Sequence, residues 1–209
     1  MGRVRGPLRA TVRFAAAVLM VSGALLVLDA TATLVWQEPV SWAIAESRQS
    51  DLERQLARAP TGRAQDPAAA ARLLAARTEP RQALGRISLP TLERSFVFVQ
   101  GVGTSALRKG PGHYSRTPLP GQPGTVAIAG HRTTYLAPFR SVNRLRRGQP
   151  IVLEMPYGRF VYRVEKTRIV LPSATEVTRG VGYDRLVLTA CHPLYSAARR
   201  IVVFARLER

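Results

Sequence analysis

Apolar positions change spacing twice along the chain. From Phe14 to Leu28 they form an unbroken run of apolar and small residues; Asp29, Thr31 and Thr33 interrupt it, and Leu34-Val35-Trp36 resumes it. Read as one helix over 12–36, the segment exceeds the roughly 20 residues that cross a bilayer. Asp29 then lies near the outer end and Trp36 where an interfacial anchor belongs. Glu38 to Arg58 carries Val40, Ile44, Leu52 and Leu56 among charges, a thin helical stripe that suits a stalk or a helix packed on the domain. Ala59 to Arg86 is rich in Ala, Arg and Pro, punctuated by Pro60, Pro67 and Pro80. It reads as a mobile linker with a short helix over 68–77.

From Ile87 onward the texture is that of short strands between turns. The runs are Ile87–Leu89, Ser95–Gln100, Thr125–Gly130, Pro150–Met155, Gly158–Leu171 (bent or broken near Lys166), Arg185–Ala190 and Ile201–Leu207. Met155-Pro-Tyr-Gly158 supplies a hairpin turn, and short helices are expected over 104–109, 137–145 and 174–180. About eight short strands in such a length predict an all-β, closed barrel or sandwich, because closure removes exposed edges. The expected organisation is a basic N-terminus over 1–11, a transmembrane anchor over 12–36, a stalk and linker over 37–86, and a β-domain over 87–209.

Charge adds orientation. Lys and Arg number 31 against 13 acids, a net charge of +18. Arg3, Arg5, Arg9 and Arg13, with no acid among them, keep the N-terminus in the cytoplasm and put the domain outside. A cleaved signal peptide ending at Ala30-Thr31-Ala32 is the competing reading, and it exports the same domain. The basic surface suits an anionic envelope and membrane. No motif of nucleic-acid recognition accompanies it, so nucleic acid is not expected as a partner.

The chain has one cysteine, Cys191, at the end of the run Val187-Leu-Thr-Ala-Cys-His-Pro193. On an exported chain it is buried and inert, paired with another chain, or reactive. A reactive thiol needs a base or a cation beside it. Of the three histidines, His192 points away from its neighbour on extended chain, and His113 lies in a Gly-Pro-Gly-His-Tyr loop. His131 ends an apolar strand after Gly130 and is the candidate for proton transfer. Arg199 and Arg200 open the last strand, and only one of them can share the face of Cys191. A guanidinium there can stabilise an oxyanion.

Gly-His-Arg after an apolar strand, the Leu-Thr-Ala-Cys-His-Pro strand end, the following Ser-Ala-Ala-Arg-Arg-Ile-Val-Val, and the segment Gly110 to Gly124 together resemble the sortases, most of all class E of high-GC Gram-positive bacteria. The resemblance covers roughly residues 87–209 and implies a sortase-type barrel. It puts the family's histidine on His131, its cysteine on Cys191 and its arginine on Arg200, with Arg199 as the alternative if the register slips. The family pattern Thr-Leu-x-Thr-Cys reads Val187-Leu-Thr-Ala-Cys191 here, so two threonines are replaced.

The implied activity is cleavage of a C-terminal sorting signal, Leu-Ala-x-Thr-Gly or Leu-Pro-x-Thr-Gly in type, between Thr and Gly through an acyl-thioester. The thioester passes to an amine of a peptidoglycan precursor such as lipid II. The implied partners are secreted proteins bearing that signal. A pilin-polymerising sortase and a non-enzymatic envelope-polymer-binding module remain alternatives. An L,D-transpeptidase is disfavoured, because its Ser-x-Gly-Cys context is absent. No cofactor is expected, and no metal, since the domain's acids are few and scattered.

Overall fold

A computed structural model describes residues 6–36 and 39–208, with side chains described over 9–32 and 44–208. The expectations for Arg3, Arg5 and the Trp36 side chain lie outside the described residues. The first of two compact units, Met1–Val40, contains helix α1, Gly6–Trp36. Its span Arg9–Ala32 has 24 residues long and apolar enough to cross a membrane, and none of that span is buried in the protein. At 1.5 Å per residue it is about 36 Å long, more than the roughly 30 Å of a bilayer core. Thr31 Oγ1 donates to the Val27 carbonyl at 2.7 Å, so the hydroxyl is satisfied inside the helix.

The second unit, Ser41–Arg209, is built on eight strands among the described residues. They are β1 (Ala83–Leu89), β2 (Arg94–Gln100), β3 (Gly112–His113), β4 (Thr125–Ala129), β5 (Pro150–Met155), β6 (Gly158–Val170), β7 (Arg185–His192) and β8 (Arg199–Leu207). They close into a barrel in the order β1-β2-β3-β4-β7-β8-β6-β5, with β5 returning to β1. The β2–β3 and β4–β7 pairs are parallel and the other pairs antiparallel. Met155 pairs with Gly158 across the expected two-residue hairpin. β6 is one strand; the bend expected near Lys166 is a register shift between Val164 and Lys166.

Alternation sorts the side chains. Ile87, Phe98, Ile128, Leu153, Tyr162, Leu188 and Val203 fill the barrel. Around β4, β7 and β8 the outer face is covered as well: Ala127, Val187, Val202 and Phe204 pack with Tyr114, Val170 and Val177. That double burial explains why β4 and β7 read as continuous apolar runs, as parallel strands do.

The segments before the barrel are part of it. Helix α2 (Pro39–Ala57) buries Ala45, Gln49 and Leu52. Gln49 Nε2 donates to the carbonyls of Val97 and Lys109 at 3.0 and 2.7 Å, and its Oε1 accepts from Val97 N at 2.9 Å. The stripe therefore includes a buried amide that clamps β2. The stretch expected to be a mobile linker is packed. Helix α3 (Pro67–Arg77), capped by Asp66, buries Ala71 fully, and Ala70, Leu74 and Ala75 lie against the barrel core. Ahead of it, Gly62 N and Ala64 N donate to the Pro156 and Tyr157 carbonyls at 2.9 and 3.0 Å. Alanines give too small an apolar signal to announce a packed face, but they allow a helix to approach closely. The barrel also begins at Ala83, ahead of Ile87.

Candidate active site

The parallel β4–β7 ladder runs from Thr125 opposite Arg185 to Ala129 opposite Thr189, and Gly130 N donates to the Thr189 carbonyl at 3.0 Å. His131 comes two residues after Ala129 and Cys191 two residues after Thr189, the members of that last pair. Across β7's other edge Cys191 pairs with Arg200, and His192 with Arg199. Ala190 packs inward while Val187 packs outward, so Cys191 lies on the outer face. Arg200 shares that face; Arg199 does not. The β7–β8 register sets Cys191 beside Arg200 on one face, and His131 follows β4 two residues past its last paired residue, Ala129. His192 and Arg199 face the other way, and His113 sits apart on β3.

Cys191 is half-buried and is a free thiol. Arg200 Nη1 donates to the Ala197 and Arg199 carbonyls at 2.9 and 3.1 Å. Its Nε and Nη2 have no partner among the described residues. His131 is half-buried, and its Nε2 is buried with no hydrogen-bond partner. Burial, and then the nearby Arg108 charge, hold its imidazole below the ordinary histidine range. A neutral ring can take a proton from a thiol and hand it to a leaving amine.

The turn after β4 is shaped for this ring. At Gly130 a Cβ would lie 2.5 Å from Phe139 Cδ2, so only glycine lets Phe139 pack beneath. Phe139 N donates to the His131 carbonyl at 3.0 Å. Tyr135, Leu136 and Ala137 follow with φ of 50°, 65° and 41°, three successive left-handed residues. Arg94 Nη2 holds the turn by donating to the Leu136 carbonyl at 2.6 Å. The Tyr135 ring lies 5.2 Å from the His131 ring, and Arg108 stands 5.9 Å above Tyr135. The helix expected over 137–145 is reduced to a single 3-10 turn, Val142–Arg144. The left-handed run and Pro138, which lacks an N–H, prevent anything longer. The one expected over 174–180 is likewise a 3-10 turn, Thr175–Thr178.

A groove of about 800 Å³ opens beside these strands. Thr189, Arg200 and Val202 form its floor, and Tyr114, Val170 and Val177 are among its walls. Tyr114 Oη and Thr189 Oγ1 are 2.9 Å apart. Ala190 faces the barrel core, behind the sheet rather than in the groove.

Sequence reasoning assigned no role to Arg132, which is only 4% exposed. Nε and Nη2 donate to the Arg140 carbonyl at 3.3 and 3.1 Å, and Nη2 also to Asn143 Oδ1 at 2.9 Å. Nη1 donates to the Cys191 carbonyl at 3.2 Å and reaches His192 Nδ1 at 3.4 Å. Its place directly after His131 was the only available signal. His113 is structural: fully buried, with Nδ1 2.9 Å from Gln100 Oε1 and Nε2 3.1 Å from the Pro118 carbonyl. Burial pushes it down to about 4. Among the described residues no cluster of acids, histidines and cysteine suits a metal ion.

A family model described as a sortase domain matches residues 87–208. Sortase D of Bacillus subtilis is 31% identical over 132 residues, covering 61% of this chain and 65% of the relative. Sortase SrtE1 of Streptomyces coelicolor is 28% identical over 206 residues, 91% of this chain and 55% of the relative. The chain thus spans a little over half to about two-thirds of the length of these curated relatives. The solved structure of sortase E from Streptomyces avermitilis aligns with a TM-score of 0.58 at 30% identity, over 63% of this chain and 91% of that one. The relative matched over nearly the whole chain is a sortase E, and sortases E are among the solved structures this chain resembles.

Proposed function

The chain belongs to the sortase family, and on that premise we propose that it is a membrane-anchored cysteine transpeptidase with Cys191 as nucleophile. The observation that carries the reading is the β4–β7–β8 arrangement, in which Cys191 pairs with Arg200, a lining residue of the groove, and His131 follows the end of β4, the strand paired with β7.

The chemistry proceeds in two steps. Cys191 Sγ attacks the Thr–Gly carbonyl of a sorting signal, its proton passing to His131 Nε2. The free donors of Arg200 receive the oxyanion. The C–N bond breaks as His131 returns the proton to the departing glycine amine, leaving a Cys191 thioester. An incoming amine then gives its proton to His131, attacks the thioester carbonyl, and the thiol is regenerated. Peptidoglycan precursor supplies that amine, and secreted proteins with a Leu-Ala-x-Thr-Gly-like signal supply the acyl group. Residues 12–36 anchor the enzyme, with 1–11 in the cytoplasm and the barrel outside. No cofactor enters any step.

The test uses a sorting-signal peptide with and without excess primary amine. The expected result is a ligated product that grows at the expense of hydrolysis and is absent with Cys191→Ala. Hydrolysis alone, indifferent to amine, would sink the transpeptidase reading.

A further inference from the structure

We propose that Arg132 is a positioning residue for Cys191. Its guanidinium fixes the Cys191 carbonyl where the parallel ladder runs out and supplies the fixed positive charge against which the thiolate forms. The inference rests on Cys191 being the nucleophile.

The ladder supplies the first argument. Gly130 N is the last β4 donor to β7, serving the Thr189 carbonyl. The next β7 carbonyl on that edge is Cys191's. β4 has ended at Ala129, and among the described residues no loop or turn backbone N–H donates to the Cys191 carbonyl. The Arg132 side chain stands in for the missing backbone donor, with Nη1 3.2 Å from that carbonyl. Holding the carbonyl of Cys191 holds its Cα–Cβ direction, and therefore where Sγ points.

The second argument is the charge. All five N–H groups of Arg132 are directed at acceptors: the Arg140 carbonyl twice, Asn143 Oδ1, the Cys191 carbonyl and His192 Nδ1. Every one is neutral as an acceptor, and among the described residues no carboxylate pairs with this buried cation. A buried charge without a counter-charge is costly. A neutral side chain would fill the same space, whereas a cation is useful if an anion forms beside it. The group that can become that anion is Cys191. The charged and titratable groups around it are His131 and Arg132 from the β4 end, Arg200 across the β8 ladder, His192 on its own strand, and Arg140 behind Arg132. Of the three arginines, Arg132 is the one whose side chain hydrogen-bonds to Cys191.

Iodoacetamide reports the thiolate at one site only, because the chain has a single cysteine. Its rate is measured against pH for the full chain, Arg132→Gln and Arg132→Lys, with kcat, KM and melting temperature for each. In Arg132→Gln the alkylation curve moves to higher pH. Its kcat falls about 10- to 100-fold, with KM changed by less than about 3-fold. Arg132→Lys keeps the alkylation curve but recovers only part of kcat, since an ammonium lacks the fork. A folded Arg132→Gln with the original curve and kcat overturns the proposal.

Should that variant not fold, Arg132→Lys and Asn143→Ala decide. Asn143→Ala frees one arm of the fork while keeping the charge, and kcat falls about 3- to 10-fold at an unchanged melting temperature. Unaltered kcat in both variants is the contrary result. Alkylation needs no turnover, so this failure is distinct from that of the nucleophile reading, which would appear as turnover retained by Cys191→Ala.

Discussion

Cys191 and Arg200 stand directly opposite each other across the β7–β8 ladder, while Arg199 pairs with His192 and turns to the other face. Two adjacent arginines thus have unequal access to one thiol. Removing an oxyanion donor costs about 10²- to 10³-fold in kcat. Arg200→Ala is expected to lose activity on that scale. Arg199→Ala, which removes an exposed side chain, is expected to stay within about 3-fold of the parent, since its contacts are solvated. Peptide-cleavage kinetics on the two variants check this, and the reverse order would mean that the β8 register is off by one.

The lone pair on His131 sets the acid side of the pH profile. Burial and the Arg108 charge both disfavour imidazolium, so the ring stays neutral at pH values where an ordinary histidine, near 6.5, is half protonated. The acid limb of kcat/KM, which reports the free enzyme, is therefore expected to have its midpoint below about 6.5. Arg108→Ala removes the repulsive charge and should move the midpoint upward. A midpoint above the ordinary value, or a downward move in Arg108→Ala, would contradict this account of the site.

Gln49 ties the α2 helix to the barrel through three hydrogen bonds, two buried ones to Val97 and a half-buried one to Lys109. Gln49→Leu leaves those backbone groups unpaired, at about 1–3 kcal/mol for each buried group not rescued by water. Chemical denaturation is expected to show a loss of about 3 kcal/mol. Arg86→Ala serves as the control. It breaks only an exposed pair with Glu53 and should cost under about 1 kcal/mol. Equal stabilities for the two variants would mean that α2 is dispensable to the barrel.

Much of this was legible from pattern. The long strands announced themselves because β4 and β7 are buried on both faces and β5 and β6 meet at a two-residue turn. Cys191 and His131 stood out as a lone thiol and a histidine at strand ends. The resemblance pointed to Arg200 with Arg199 as the alternative, and the face each takes depends on register rather than on composition. β3 was missed because two residues carry no periodicity. The packing of α3 was missed because its buried face is alanine. Gln49 and Arg132 were missed for a shared reason. Each is polar and looks like surface in sequence, and each is buried because backbone groups of distant segments satisfy it.

The central claim is that Cys191 carries the acyl group. Intact-mass measurement of the enzyme mixed with a sorting-signal peptide, quenched in acid before an amine is added, tests it most directly. The account expects a covalent adduct equal to the peptide through its threonine, located on Cys191, removed by hydroxylamine, and absent from Cys191→Ala. Cleavage of the peptide with no adduct, or cleavage retained by Cys191→Ala, would contradict it.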